Sequence, residues 1–195
     1  MKTSSLVLII IGAFILLLGG CAGCNYNNFV KGDNAIKAAW SDVETNYQRR
    51  NDLYKNVVQT IQGSANFEKS TLTEVIAARA SATSVKVDIN DPQSLAKYQA
   101  AQGQLQSAFG RLMAVAEAYP NLKTTQSFQD FQTQIEGTEN RINIARKDYN
   151  ARVGAYNQQV RTFPGNIFAG MFNFHEKAFY KADEGTDKAP DIKFP

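Results

Sequence analysis

The chain has 195 residues, with 44% apolar and 20% charged side chains. That suffices for one domain with a core plus additional segments. Lys and Arg number 21 against 18 Asp and Glu, a formal charge of +3. That balance is too small to point to nucleic acid, which a basic cluster would mark. One histidine (His175) and two cysteines (Cys21 and Cys24, both near the N-terminus) exclude most soft-metal sites, thiol nucleophiles and disulfide frameworks from the body of the protein.

The N-terminus reads as an anchor or a signal. A short n-region with Lys2 precedes Leu6 to Gly20, a run without charge. A spanning helix needs about 17 to 20 apolar residues, and this run falls slightly short unless it extends through Cys21-Ala22-Gly23. Leu18-Gly19-Gly20-Cys21 has the form of a lipobox, an apolar residue and two small ones before a cysteine. Length favours a lipoprotein signal with lipidation at Cys21, less readily at Cys24. An uncleaved transmembrane helix is the alternative. Both place Lys2 in the cytoplasm and everything after residue 24 outside, on the cell membrane or the outer membrane.

From residue 33 to about 163 the sequence predicts helix. Pro occurs there only at positions 92 and 120, and good helix formers dominate. Breaks are expected at Gly63-Ser64, Asp88–Pro92, Tyr119-Pro120-Asn121 and Phe163-Pro164-Gly165. The first run carries a stripe of Ile36, Trp40, Val43, Tyr47, Tyr54, Val57 and Ile61, with Arg50 in the slot between. The second (Phe67, Thr71, Leu72, Val75, Ala78, Ala82) is the weakest. The third carries Leu95, Tyr98, Leu105, Phe109, Leu112, Ala116 and Tyr119, with Gln102 at the missing position. The fourth runs from Phe128 to Phe163 with a stutter at Ala145–Tyr149–Val153. Four runs with short connections predict an all-α fold, a long antiparallel up-down four-helix bundle with coiled-coil-like spacing. The bundle covers residues 25–163. Residues 164–181 form an aromatic segment expected to dock on it in preference to lying in the membrane interface, and 182–195 are expected to be disordered.

No catalytic constellation emerges. One histidine cannot supply a di-iron carboxylate site, and His175 reads as a surface residue. Glu136 and Glu139, with Arg141 and Arg146, read as the solvated face of a charged helix rather than an acid–base pair. Trp40 reads as core. No glycine-rich loop or nucleophile elbow is present. No enzyme activity, metal or cofactor is expected.

Several blocks resemble the LemA family. Tyr26-Asn27-Asn28-Phe29-Val30 follows the apolar run; Trp40 precedes Gln48-Arg49-Arg50-Asn51-Asp52-Leu53 and Asn56-Val57-Val58. Glu68, Leu72, Val75, Ala78 and Arg79 follow. The most specific block is Thr138-Glu139-Asn140-Arg141-Ile142, Ala145-Arg146, Tyr149-Asn150, Val153, Tyr156-Asn157 and Phe163-Pro164. The resemblance covers about residues 25 to 180. Two positions depart from the family pattern. Tyr54-Lys55 stands where Ile-Pro is usual, which should make the first helix more continuous, and Phe67-Glu68 stands where His-Glu is usual. The resemblance implies a bacterial membrane protein with an N-terminal anchor and an extracytoplasmic antiparallel four-helix bundle. It carries over no catalytic residues, because the family has no agreed biochemical activity.

Two functional expectations follow. One is a non-catalytic scaffold or adaptor for an unidentified envelope or membrane protein, tethered to membrane lipid. Its contact surface would use Arg49, Arg50, Gln129, Gln132, Gln158 and Gln159, since polar faces suit a wet, reversible interface. The other is a sensor holding a small apolar molecule in the bundle core, with Tyr98, Tyr149 and Tyr156 lining it.

Overall fold

The computed structural model describes residues 3–63 and 68–181. Among them are six helices and no strand: α1 (Thr3–Gln62), α2 (Lys69–Ser84), α3 (Pro92–Ala116), α4 (Pro120–Lys123), α5 (Gln126–Arg161) and α6 (Gly165–Phe172). The expected disordered tail at 182–195, and Phe67 at the head of the second run, lie outside the described residues.

The apolar N-terminal run and the first bundle helix are one helix. No Pro interrupts residues 21 to 33, and the Asn25 side chain donates to Cys21 O at 2.8 Å, bonding its own helix instead of breaking it. α1 has 60 residues, a length of roughly 90 Å at about 1.5 Å per residue. An 18-residue window near its start has a mean hydropathy of 1.9 and is 0% buried. By length and composition this end of α1 can cross a membrane. Beyond it, Phe29, Ile36, Trp40, Val43, Tyr47, Tyr54, Val57 and Ile61 are buried at helical spacing. Tyr54 and Lys55 are helical, so α1 stays continuous to Gln62, as Tyr54-Lys55 in place of Ile-Pro predicts.

The other helices begin where turn chemistry directs. Asp91 caps α3, accepting from Gln93 N at 2.9 Å, with Pro92 in the first turn where its missing N–H costs nothing. Pro120 starts the short α4, and Thr125 Oγ1 caps α5 by accepting from Phe128 N at 3.4 Å. The polypeptide leaves α5 at Phe163-Pro164, where the peptide bond is cis, and enters α6. α6 stops at Asn173, whose φ of 61° places it in the left-handed region that Asn tolerates. Residues 174–181 then run back along the bundle without helix, and we call them the strap.

Two cores result. One joins α1, the start of α3, α5, α6 and the strap, including Phe29, Trp40, Tyr47, Tyr98, Tyr149, Val153, Tyr156, Phe168 and Tyr180. The other joins α1, α2 and α3 with the start of α5, including Tyr54, Ile61, Val75, Leu105, Phe109, Leu112 and Phe128. α1 and α5 are antiparallel, because Gly32 meets Tyr156, Trp40 meets Tyr149 and Arg50 meets Glu139. Large rings bridge α1 to α3. Trp40 and Tyr47 meet Tyr98 edge-on, and Tyr54 stacks on Phe109 with centroids 3.7 Å apart. Each such aromatic pair adds about 0.5–1.5 kcal/mol beyond the area it buries.

Candidate functional site

The two polar residues that interrupt the apolar stripes meet inside the bundle. Arg50 lies on the buried stripe of α1 and is 2% exposed. Its Nη2 donates to Gln102 Oε1 at 2.7 Å and to Gln102 O at 3.2 Å, and its Nη1 reaches Glu139 Oε1 at 3.3 Å. Gln102, on α3, is also 2% exposed, whereas the Glu139 side chain on α5 keeps 28% of its surface. The guanidinium lies 4.7 Å from the Tyr47 ring centroid and 5.7 Å from that of Tyr54. Tyr54 donates to Glu139 Oε1 at 3.3 Å. Burial holds the Tyr54 hydroxyl well above the ordinary tyrosine value; Arg50 opposes the shift and Glu139 adds to it. Beside this layer Arg79 of α2 donates through Nε to the Asn51 carbonyl at 3.1 Å. A cation that cannot lose its proton thus ties three helices together, with aromatic faces and a carboxylate offsetting its desolvation.

These contacts correct two expectations. Arg50 is not part of an exposed Arg49-Arg50 pair, because its position on the α1 stripe turns it inward while Arg49 stays outside. Glu139 and Arg146 are not a solvated face either. Glu139 pairs with Arg50, and Arg146 is half-buried with its guanidinium 4.1 Å from the Tyr180 ring centroid.

A second constellation holds the strap. Asn157 Nδ2 donates to Lys177 O at 2.9 Å, and Lys177 N donates to Asn157 Oδ1 at 2.8 Å. Asn150 repeats the pattern with Tyr180, at 2.9 and 2.8 Å. Asparagine suits this task because its amide carries one acceptor and a donor, matching a peptide's N–H and C=O. The spacing fits as well. Seven helical residues advance roughly 10.5 Å, and three extended residues roughly 10 Å. Tyr149 adds a bond to Ala178 O at 3.0 Å, and the Tyr47 and Tyr180 hydroxyls meet at 2.5 Å. Burial pushes the Tyr149 hydroxyl up to about 12. Lys177 anchors the strap to α1 through Asp33, 2.8 Å away, and to the loop before α3 through Asn90. Burial would raise the Asp33 pKa, but hydrogen bonds and charge from Lys177 and Lys37 outweigh it and hold the carboxyl below its ordinary value. Apolar periodicity does not mark these asparagines, but the sequence carries a signal for them: Tyr149-Asn150 and Tyr156-Asn157 repeat one heptad apart.

The remaining predicted residues are dispersed. Arg49, Gln129, Gln158 and Gln159 are exposed, while Gln132 is half-buried. Cys21 and Cys24 are exposed free thiols on α1. His175 is exposed, with Nε2 3.1 Å from Asn173 Oδ1. Of the three tyrosines considered for a ligand, Tyr98 lines an open cleft of about 420 Å³ between α1, α2 and α3. Tyr149 lies beneath the strap, and Tyr156 packs against Gly32 with no hydrogen-bond partner for its hydroxyl among the described residues. The strap therefore occupies the ground where a molecule between Tyr149 and Tyr156 would lie.

Comparison with known proteins places the sequence among relatives. The sequence model of the LemA family matches residues 39–194. The chain is 27% identical over 158 residues to Protein LemA of Metamycoplasma hominis, covering 81% of this chain and 69% of that protein. It is 26% identical over 184 residues to Magnetosome protein MamQ 2 of Paramagnetospirillum magneticum, covering 83% of this chain and 66% of that one. A MamQ of Magnetospirillum gryphiswaldense is 26% identical over 183 residues, with 83% and 66% covered. The chain thus spans about two thirds of the length of these relatives.

Proposed function

This chain belongs to the LemA family, and from that premise we propose that it is a membrane-anchored, extracytoplasmic scaffold without catalytic activity. The four long helices act in this reading as an up-down bundle that presents polar helix faces to an envelope or membrane protein. The observation that carries the reading is the continuity of α1. Its bare apolar end leads without a break into the buried stripe that starts at Phe29. A bundle mounted on its own anchor helix holds its orientation to the membrane, which suits a presenting role. The internal polar layer supports the same reading. Its charged members are engaged with one another and with aromatic rings, which leaves the outer faces of α1 and α5 for contact. Arg49, Gln129, Gln158 and Gln159 are the candidate contact positions in this reading, spread along those faces. Attachment is through acyl chains on Cys21, or less favourably Cys24, or through the uncleaved apolar helix.

Photo-crosslinkers at Gln129 and Gln158 in living cells test the scaffold role. Adducts with one recurring envelope protein are expected from both positions. Adducts with other copies of this chain alone would sink the hetero-partner reading. The intact mass of membrane-extracted protein, beside Cys21→Ala, distinguishes the anchors. Loss of the first twenty residues with added acyl mass, abolished in the variant, marks a lipoprotein; an unprocessed mass in both marks a spanning helix.

A further inference from the structure

We propose that the outward face of the α6 region lies in the interfacial layer of the same membrane that anchors α1, so that the bundle rests on the bilayer at a second point. The inference builds on the anchoring reading above. Phe163, Ile167 and Met171 are exposed at 80%, 54% and 67%, although all three are large and apolar. Ile167 and Met171, four apart on α6, share one side, and Phe163 stands exposed just before the helix, while Gly165, Phe168 and Ala169 form the buried side against the bundle. An apolar face of this kind on a small soluble domain marks a contact surface.

Its height on the molecule identifies the partner as lipid. The Phe172 ring lies 5.2 Å from that of Tyr26, and the Phe174 ring 5.1 Å from that of Phe29. Gly165 faces Phe29 as well. α6 is therefore held beside the part of α1 that directly follows the apolar run. Tyr26 is roughly 8 Å along the helix from Cys21, so a lipidated Cys21 and an uncleaved span both bring α6 to the bilayer surface. The charge pattern agrees. No charged residue occurs from Thr3 to Val30 or from Thr162 to Phe174, and Lys31 and Arg161 stand at the borders. Interfacial helices bury an apolar face about 5–10 Å into the headgroup region, with aromatic and basic residues at its margin. Tyr26, 46% exposed, takes that marginal position. A soluble protein partner would require no such coincidence with the anchor.

The test uses the full-length chain in its native membranes, with benzoylphenylalanine replacing Phe163 in one variant and Met171 in another. A third variant carries it at Ile144, which is 59% exposed but lies on α5 far from α6. After irradiation, lipid adducts are expected at 163 and 171, with none above background at 144. Protein adducts in place of lipid at 163 and 171, or no adducts from a chain that sediments with the membrane, would overturn the proposal and leave the anchoring reading standing. A chain recovered in the soluble fraction would overturn both.

Discussion

Arg50 and Gln102 lie fifty-two positions apart and meet at 2.7 Å in the interior, each 2% exposed. Arg50 has one further side-chain acceptor, Glu139 Oε1 at 3.3 Å, so Gln102 takes the shorter of its two side-chain bonds. Truncating Arg50 leaves Gln102 Oε1 buried without its charged donor and Glu139 without its cation, which costs more than an exposed pair contributes. Arg50→Ala is expected to destabilise the bundle by about 3–5 kcal/mol. Arg50→Met with Gln102→Leu, which removes both partners and keeps the volume, is expected to cost much less than the sum of the single changes. Denaturant unfolding in detergent of the native chain, Arg50→Met, Gln102→Leu and the double variant measures the coupling. Additive effects would mean that the two side chains do not depend on each other.

The stripes of α1 and α3 were legible in the sequence, and so were their interruptions at 50 and 102. What the sequence lacked was the relative height of the helices. Periodicity gives each helix a face but no register against its neighbours, so the meeting of the two interruptions with Glu139 could not be read. Arg50 is adjacent to Arg49 in sequence but sits in the slot of the α1 stripe, and that helix position decides its inward face. The strap was missed for another reason. Side chain to backbone bonds to an extended segment leave no periodic trace in that segment, and the trace they leave on α5 is polar and so stands outside the apolar stripe. Continuity of α1 through residues 21 to 33 follows from the absence of Pro and from Asn25 bonding its own helix.

Asn150 and Asn157 make a local prediction about the strap. Asn157→Ala removes a donor and an acceptor from Lys177, leaving its backbone groups with water alone. A loss of about 1–3 kcal/mol is expected for each asparagine. The effect should be regional. Amide hydrogen exchange is expected to accelerate at residues 174–181 in Asn157→Ala, while the middle of α3 keeps its protection. Asn157→Asp, which keeps the acceptor and loses the donor, should fall between the two. Unchanged exchange at Lys177 and Tyr180 in the alanine variant would show that packing alone holds the strap.

Asp33 predicts how the same region responds to acid. Its folded pKa lies below 3.8 because Lys177 and Lys37 outweigh the effect of burial. A depressed folded pKa means that the carboxylate contributes stability above the unfolded value, near 3.9. That contribution declines as pH falls below this value and disappears once pH passes through the folded pKa. The stability difference between the native chain and Asp33→Asn should therefore be constant from neutral pH down to about 5 and shrink below about 4. Unfolding curves across that range measure it. A difference that stays constant at the acid end would show that the Asp33–Lys177 contact does not depend on charge.

Gly165 is where the turn from α5 into α6 tolerates no side chain. A Cβ there would lie 2.2 Å from the Gln159 carbonyl oxygen and 3.7 Å from the Phe29 ring. The ring could shift, but the carbonyl is backbone of the last turns of α5 and cannot move without unwinding them. Gly165→Ala is thus expected to destabilise by about 1–3 kcal/mol, in the range of overpacked cores. Gly170→Ala, at a position open to space in the same helix, should be neutral or slightly stabilising, since alanine is the better helix former. The pair separates crowding from helix propensity, and thermal unfolding followed by circular dichroism reads it. Equal effects at the two positions would mean that close approach of the two chain segments does not account for glycine at 165. The consequence for the membrane face is direct. If Gly165→Ala displaces α6, the Tyr26–Phe172 contact should loosen with it, and hydrogen exchange at residues 166–172 should rise together with that of the strap.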